Sequence, residues 1–329
     1  MKKDIKRIAV FTSGGDAPGM NAAIRAIVRN AINNDLHIYG VHRGYEGMIN
    51  GDIRRLETSD VSNIIHRGGT VLKTARSMRF MTPEGRKQAY ENLVDNDIDA
   101  LIAIGGNGTF TGAKTFMAEY PDIPILGLPG TIDNDLFGTD FTIGFDTALN
   151  TAVQAVDKIR DTADSHNRLF FVEVMGRHSG YIALHTAIAG GAGGVMLPEE
   201  ESNIDDLIKL LKRGAKRSKL FSIVIVAEGN HMGTVYDIAH QVSEKIELYD
   251  DIKVTVIGHL QRGGSPTAFD RVTASILGFT AVEALLEGKS GMMVGIRNNN
   301  VAYTPFADAI SKPKTFNKDL LRLAHILAQ

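Results

Sequence analysis

Two carboxylates, Asp133 and Asp135, stand two residues apart in the stretch from Leu128 to Asp135, which reads Leu-Pro-Gly-Thr-Ile-Asp-Asn-Asp. In extended backbone that spacing puts both on one side of the chain, where one carboxylate could take a proton and the other hold a metal ion. A polar turn whose Asx side chains bond their own backbone has the same composition, and these eight residues alone leave both readings open. Other stretches offer related chemistry. Thr12 to Gly19 (Thr-Ser-Gly-Gly-Asp-Ala-Pro-Gly) and Gly105 to Thr109 (Gly-Gly-Asn-Gly-Thr) are glycine turns, each after an apolar run. Backbone N–H groups at such turns, aided by a following helix N-terminus, favour phosphate. Their spacing is neither a dinucleotide fingerprint nor a Gly-Lys-Ser/Thr loop. Arg76 follows the Gly68-Gly69-Thr70 turn, a place suited to gripping a transferred phosphate. Arg25 and Arg29 share one face of a helix, as a solvated basic stripe or an anion site.

These groups need elements to position them. Apolar runs at Ile8–Phe11, Leu36–Val41, Asp99–Ile104, Ile123–Leu128, Leu169–Val174, Phe221–Ala227 and Val254–Ile257 read as strands. Helical patterns span Met20–Ile32, Pro83–Val94, Thr109–Met117, Thr147–Asp161, Ala183–Ala189, Ile204–Lys216, Arg271–Leu286 and Lys318–Leu327. Strands alternating with helices imply an α/β fold, with parallel sheets and helices on both faces. In such sheets ligands bind beyond the carboxyl ends of the strands, which is where the glycine turns and carboxylates fall. Two sheets joined by short crossings, with the site in the cleft between them, is the expected arrangement.

The chain has 329 residues, comfortable for two domains. Its net charge of −2 suggests neither a nucleic-acid surface nor a membrane-binding face. No cysteine is present, which rules out disulfides, thiolate nucleophiles and Cys-ligated metals, and fits a cytoplasmic protein. The apolar run near the N-terminus, Ile8 to Phe11, is too short for a signal-peptide core or a membrane span.

Four stretches together resemble the bacterial ATP-dependent 6-phosphofructokinases: Ser13 to Asn21, Pro129 to Asp135, Met175-Gly176-Arg177, and Gly258 to Pro266. The resemblance covers nearly the whole chain. It implies two Rossmann-like three-layer α/β/α domains: residues 1–143 with 260–310 for ATP, and residues 144–259 with 311–329 for fructose 6-phosphate and effectors. It also implies a homotetramer and transfer of the ATP γ-phosphate to the sugar 1-hydroxyl, with Mg²⁺ as cofactor. By matching motifs, Asp133 would be the base and Thr131 would orient the reacting groups. Gly15 N–H, Arg76 and Arg177 would stabilise phosphoryl charge. Tyr45, Ser77 and the Gly106-Asn107-Gly108-Thr109 turn would hold the nucleotide, with Asn107 and Asp135 at the metal. Met175, Gly176, Glu228, His259 and Arg262 would bind the sugar phosphate, with Arg168 and Lys253 reaching in from a neighbouring subunit. Arg25, Arg29, Arg160 and Lys219 would form an effector site for ADP or phosphoenolpyruvate. The resemblance also admits a catalytically impaired regulatory subunit, or a kinase for another acceptor.

The donor follows from side-chain size. Pyrophosphate-using relatives carry Asp and Lys where this chain has Gly108 and Gly130, so room is left for the α-phosphate and ATP is favoured. Five departures from the family pattern touch the ligand sites. Asn107 stands for an Asp near the metal, which implies weakened Mg²⁺ use and lower turnover, since hard cations prefer anionic oxygen. Lys253 replaces a bidentate Arg, and Gly193 replaces a carboxylate at the effector's metal. Ser77 and Met81 replace aromatic and basic residues near the nucleotide.

Overall fold

In β4 (Ala100–Gly105) and β5 (Ile125–Pro129) every residue is buried, as expected of strands covered on both faces. A computed structural model describes residues 5–165, 168–200, 203–215 and 222–328. The expected element ends at Lys216 and Phe221, and the effector candidate Lys219, lie outside those residues.

The described chain divides into two compact units. Unit 1 comprises the chain up to Ile132, Leu136–Thr147 and Arg262–Lys314. Its seven-stranded sheet has the order β11-β10-β5-β4-β1-β2-β3. Here β1 is Arg7–Thr12, β2 His37–Val41, β3 Ile53–Arg55, β10 Met292–Arg297 and β11 Asn300–Pro305. The central strands pair in parallel. The edge pairs β2–β3 and β10–β11 are antiparallel and have no counterpart in the sequence reading. One face packs Phe11, Leu101, Ala103 and Ile125 with Tyr45 and Met48 of α2 (Gly44–Asn50), Leu93 of α3 (Pro83–Asp95), and Phe110 and Phe116 of α4 (Asn107–Glu119). The opposite face carries α1 (Met20–Asn33) and α9 (Ala268–Leu286), which pack on each other.

The strand order reverses between β1 and β4, so the switch point of this doubly wound sheet lies between their carboxyl ends. The register makes those ends flush: Thr12 pairs with Ile104, and Gly105 with Pro129. Three of the candidate turns leave from this one rim.

Unit 2 comprises Asp133–Asp135, Ala148–Gln261 and the chain from Thr315. Its four-stranded parallel sheet has the order β7-β8-β6-β9, with β6 Arg168–Val174, β7 Gly194–Met196, β8 Ser222–Ala227 and β9 Asp251–Val256. One face packs Leu169, Phe171, Val224 and Val226 against α7 (Ile204–Ala215) and α8 (Val235–Ser243). α6 (Tyr181–Ala189) contacts β8 and also α11 (Lys318–Leu327). The long α5 (Phe145–Asp164) begins in unit 1 and continues in unit 2.

Candidate active site

After β1 the chain turns at Gly14, with φ +85°, and enters α1 through Gly19, with φ +107°. The turn is tied down from three directions. Ser13 N–H donates to Ile104 O at 3.0 Å, Thr109 Oγ1 donates to Ser13 O at 3.1 Å, and Thr74 Oγ1 donates to Gly14 O at 2.7 Å. Gly105 has no room for a side chain, because a Cβ would lie 2.2 Å from Thr109 Oγ1 and 2.5 Å from Ser13 O. Arg262 crosses from far along the chain. Its guanidinium donates to Asp16 O at 3.1 Å, and a Cβ on Gly15 would come within 2.6 Å of its Nη1. An exposed glycine and a guanidinium thus converge on one turn, a pairing of N–H donor and positive charge suited to a phosphoryl group. Arg262 therefore sits with the phosphate turn of unit 1. Arg76 is exposed.

The second turn differs from its expected form. The helix starts at Asn107, two residues before the sequence pattern implies, with Gly106 as N-cap. Asn107, Gly108 and Thr109 are the first turn of α4, and N–H groups there have no intrahelical partner. Tyr45 lies beneath this turn: it is 6% exposed, its hydroxyl donates to Thr109 O at 2.6 Å, and its ring stacks on Phe80 at 3.9 Å. Burial pushes its phenol well above the usual range. The hydroxyl bond makes Tyr45 a support for this turn. Ser77 gives its hydroxyl to Glu46 Oε2 at 2.6 Å, and Arg79 bonds the same carboxylate at 2.8 Å. Glu46 is held below its ordinary range by the Ser77 bond first, with Arg79 adding to it.

The third strand end carries Thr131. Gly130 N–H donates to Gly105 O at 3.0 Å, and Thr131 O accepts from Thr142 Oγ1 at 2.6 Å. The Thr131 side chain borders Gly106, where a Cβ would stand 3.5 Å from Thr131 Cβ.

In unit 2, Asp133 and Asp135 are half-buried. Asn134 between them has φ +51°. The backbone is therefore not extended, and the alternation argument for a shared side does not hold. Ser179 Oγ donates to Asp133 O at 2.8 Å. The segment after β6 is strained, with Arg177 at φ +57°, a region that costs a non-glycine residue of order 1 kcal/mol. Two contacts hold it: Arg177 N–H faces Glu228 Oε2 at 3.4 Å, and Met175 N–H donates to Gln261 Oε1 at 2.8 Å. Gly176 lies between them with φ +149°. The Arg177 side chain and Glu228 are exposed, at the ends of β6 and β8. Burial raises the neighbouring Glu173 carboxyl, and the Glu228 charge raises it further. His259, also exposed, follows β9 in a short 3-10 turn.

Arg168 and Lys253 meet over Asp251, which lies 3.9 Å from Arg168 Nε and 2.6 Å from Lys253 Nζ. The Lys253 bond, then the nearby cations, hold Asp251 below the usual carboxylate range. Sequence reasoning missed Asp251. Its position two before Lys253 on one strand, hence on the same face, was the available signal.

Of the effector candidates, Arg25 and Arg29 lie on α1 in unit 1, while Arg160, on α5 in unit 2, donates to Gly190 O and, at 3.2 Å, to Gly191 O. A cavity of about 590 Å³ in unit 2, lined by β7, α7 and α11, holds none of the expected site residues. Among the described residues no group of three or more His, Asp or Glu is arranged to hold a metal. The donors expected at a metal, the Asn107 amide and the Asp135 carboxylate, offer hard oxygens. They suit Mg²⁺, which keeps most of its shell as water and substrate phosphate. No helix of the described residues is long and apolar enough to cross a membrane.

Glycine phosphate turns at the switch point of one doubly wound sheet, and an arginine-bearing strained turn in the other unit, mark an α/β protein built to handle phosphate groups. A profile of the phosphofructokinase family matches residues 7–285, and the chain belongs to that family. It is 55% identical over 323 residues to the ATP-dependent 6-phosphofructokinase of Cytophaga hutchinsonii, covering 98% of each chain. It is 53% identical over 324 residues to ATP-dependent 6-phosphofructokinase 1 of Thermus thermophilus, covering 98% of this chain and 100% of the relative. Among solved structures, phosphofructokinase from Saccharomyces cerevisiae aligns with TM-score 0.88 and 38% identity over 98% of this chain. This chain spans 48%, about half, of that yeast chain.

Proposed function

We infer that the chain is an ATP-dependent 6-phosphofructokinase, a glycolytic kinase that moves the γ-phosphate of ATP to the 1-hydroxyl of fructose 6-phosphate. The observation that carries this reading is the phosphate turn of unit 1, where Gly15 lies under the Arg262 guanidinium beside the flush ends of β4 and β5. Relatives more than half identical over nearly their whole length bear the same activity in their names.

The residues divide the work as follows. The first turn of α4, from Gly106 to Thr109, binds nucleotide phosphates through its N–H groups. Gly15 N–H, Arg76 and Arg177 stabilise charge on the transferred phosphoryl group, the step at which catalysis of this transfer mostly acts. The bond from the γ-phosphorus to the ADP oxygen breaks and a bond to the sugar O1 forms. The hydroxyl proton goes to the Asp133 carboxylate, and Thr131 orients the reacting groups. Met175, Glu228, His259 and Arg262 bind the sugar phosphate. Mg²⁺ beside Asp135 and Asn107 would neutralise phosphate charge. Donor choice rests on Gly108, where a Cβ would meet nothing within 4 Å: space is open for the nucleotide and no carboxylate repels it.

The protein works in the cytoplasm as a homotetramer, with Arg168 and Lys253 completing a neighbouring subunit's sugar-phosphate site. Phe269, Val272, Ile276 and Phe279 support self-association: they repeat at helical spacing along α9 and are all exposed. Arg25, Arg29 and Arg160 serve an anionic effector. A coupled assay of fructose 1,6-bisphosphate formation, with ATP and pyrophosphate compared across Mg²⁺ concentrations, tests the reading. Product with ATP alone is expected, and no product with either donor would overturn it.

A further inference from the structure

Asp270 is wholly buried and carries no role in the chemistry above. Its carboxylate accepts from Gly144 N–H at 2.8 Å, Thr147 N–H at 2.8 Å and Thr147 Oγ1 at 2.5 Å. Burial pushes its carboxyl up to about 6 against those three bonds, so the group is costly to bury and its placement needs a reason. The reason lies in what it holds. The strap from Thr142 to Thr147 is wedged between two parts of the site. On one side, Ile143 N–H donates to Pro129 O at 2.8 Å, Ile143 bridges to Gly130, and Thr142 Oγ1 donates to Thr131 O at 2.6 Å. On the other, a Cβ on Gly144 would lie 2.7 Å from Ala17 Cβ, and a Cβ on Gly19 would lie 2.8 Å from Ile143 Cγ2. One carboxylate at the start of α9 thus pins a strap that touches both the phosphate turn and the Thr131 backbone. Thr267 closes the arrangement: its N–H donates to Thr147 Oγ1 at 3.0 Å, and its hydroxyl donates to Asp146 at 2.6 Å.

We propose that Asp270 is a positioning residue for phosphoryl transfer, acting through the Thr142–Thr147 strap to hold Thr131 in register with the phosphate turn. The proposal rests on Thr131 as the orienting residue. A loosened Thr131 leaves ATP bound but lets water compete with the sugar hydroxyl, so the ratio of ADP released to fructose 1,6-bisphosphate formed is the diagnostic quantity. That ratio does not depend on how much of a preparation is folded.

Asp270→Asn keeps the shape but turns an N–H donor toward donors. Thr142→Val removes only the hydroxyl that reaches Thr131 O. Both variants should lower kcat about tenfold or more, leave the KM for ATP within about twofold, and raise the ADP-to-product ratio. Thr142→Ser should restore both kcat and the ratio. The double variant should be no worse than the poorer single one, because both act along one path. Thr142→Val keeps the test open where Asp270→Asn fails to fold. Wild-type kcat in Thr142→Val overturns the proposal, and so does a lowered kcat with an unchanged ratio, which marks a purely structural role. Thr131→Val, measured alongside, separates the causes. Full activity there removes Thr131 as the orienting residue, whereas lost activity there with an intact Thr142→Val removes only the strap.

Discussion

Asn107 is where a single side chain has most leverage. It opens α4 and bears an amide where the family pattern has a carboxylate. A negative charge at a helix N-terminus is itself favourable, by roughly 0.3–1 kcal/mol. Asn107→Asp should therefore cost no stability, and a change in rate can be read as chemistry. We expect a higher kcat and a lower Mg²⁺ requirement in a steady-state assay; an unchanged or reduced rate would reject the idea that the amide weakens the site. If Asp135 helps to hold the ion, Asp135→Ala should raise the Mg²⁺ concentration for half-maximal rate sharply. An apparent affinity indifferent to that change would assign the ion to other groups.

Elements hold these residues by contacts that differ in tolerance. Gly105 and Gly108 sit three apart on one turn, yet a side chain at 105 would collide with Thr109 and Ser13 while one at 108 meets open space. Gly105→Ala should sharply destabilise the fold, seen as lost soluble protein or a lowered melting temperature. Gly108→Asp should melt like the wild type while losing most ATP-dependent activity, and a Gly108→Asp enzyme as active with ATP as its parent would contradict the steric reading of donor choice. Below the turn, Arg86 of α3 clamps Glu119 of α4 through two bonds, at 2.7 and 2.6 Å, and also donates to Phe80 O at 3.0 Å. Phe80 in turn stacks on Tyr45. The Arg86 bond holds the Glu119 carboxyl below its ordinary range, with burial opposing it. A lowered carboxylate contributes stability above its unfolded pKa, about 4.3, and loses it as pH falls through the folded value. Glu119→Gln should cost about 1 kcal/mol at pH 7, modest because Glu119 is a third exposed. That gap should narrow in urea titrations as pH falls below the unfolded value of about 4.3 and through the lower folded one, and a gap independent of pH would exclude the ion pair as its source.

At the scale of the whole molecule the open question is how many chains make one site. Arg168 and Lys253 gather at Asp251 on the paired strands β6 and β9, with 30% and 49% of their side chains exposed. If they serve another chain, Asp133→Asn and Arg168→Ala/Lys253→Ala, each inactive alone, should recover activity when co-expressed, because some sites then combine intact halves. Native mass spectrometry should find mixed tetramers. Mixed tetramers without recovered activity would place both residues in their own chain's site.

What a linear reading can determine here is local. The strands β1, β4, β5, β6 and β8 and the helices α1, α3, α5 and α9 follow from periodicity and glycine punctuation, within a few residues of the structure. The glycine turns were legible because phosphate chemistry needs bare backbone there. Short or peripheral elements escaped: α2, β3 and β7 carry too few residues for a period to show, and the partly exposed β10–β11 hairpin shows no clean alternation. The first turn of α4 was misjudged because Gly106-Asn107-Gly108 has low helix propensity and is held by Tyr45 and Ser13 instead. Asn134 broke the alternation between its two carboxylates through a backbone angle that no spacing encodes. Above all, Arg262 over Gly15, Asp270 under the Thr142 strap and Asp251 between two cations join residues as much as 246 positions apart. Such contacts exist only once each unit has folded and brought its distant segments together. Sequence patterns specify which strands end in reactive turns, and tertiary packing decides which distant side chain completes each one.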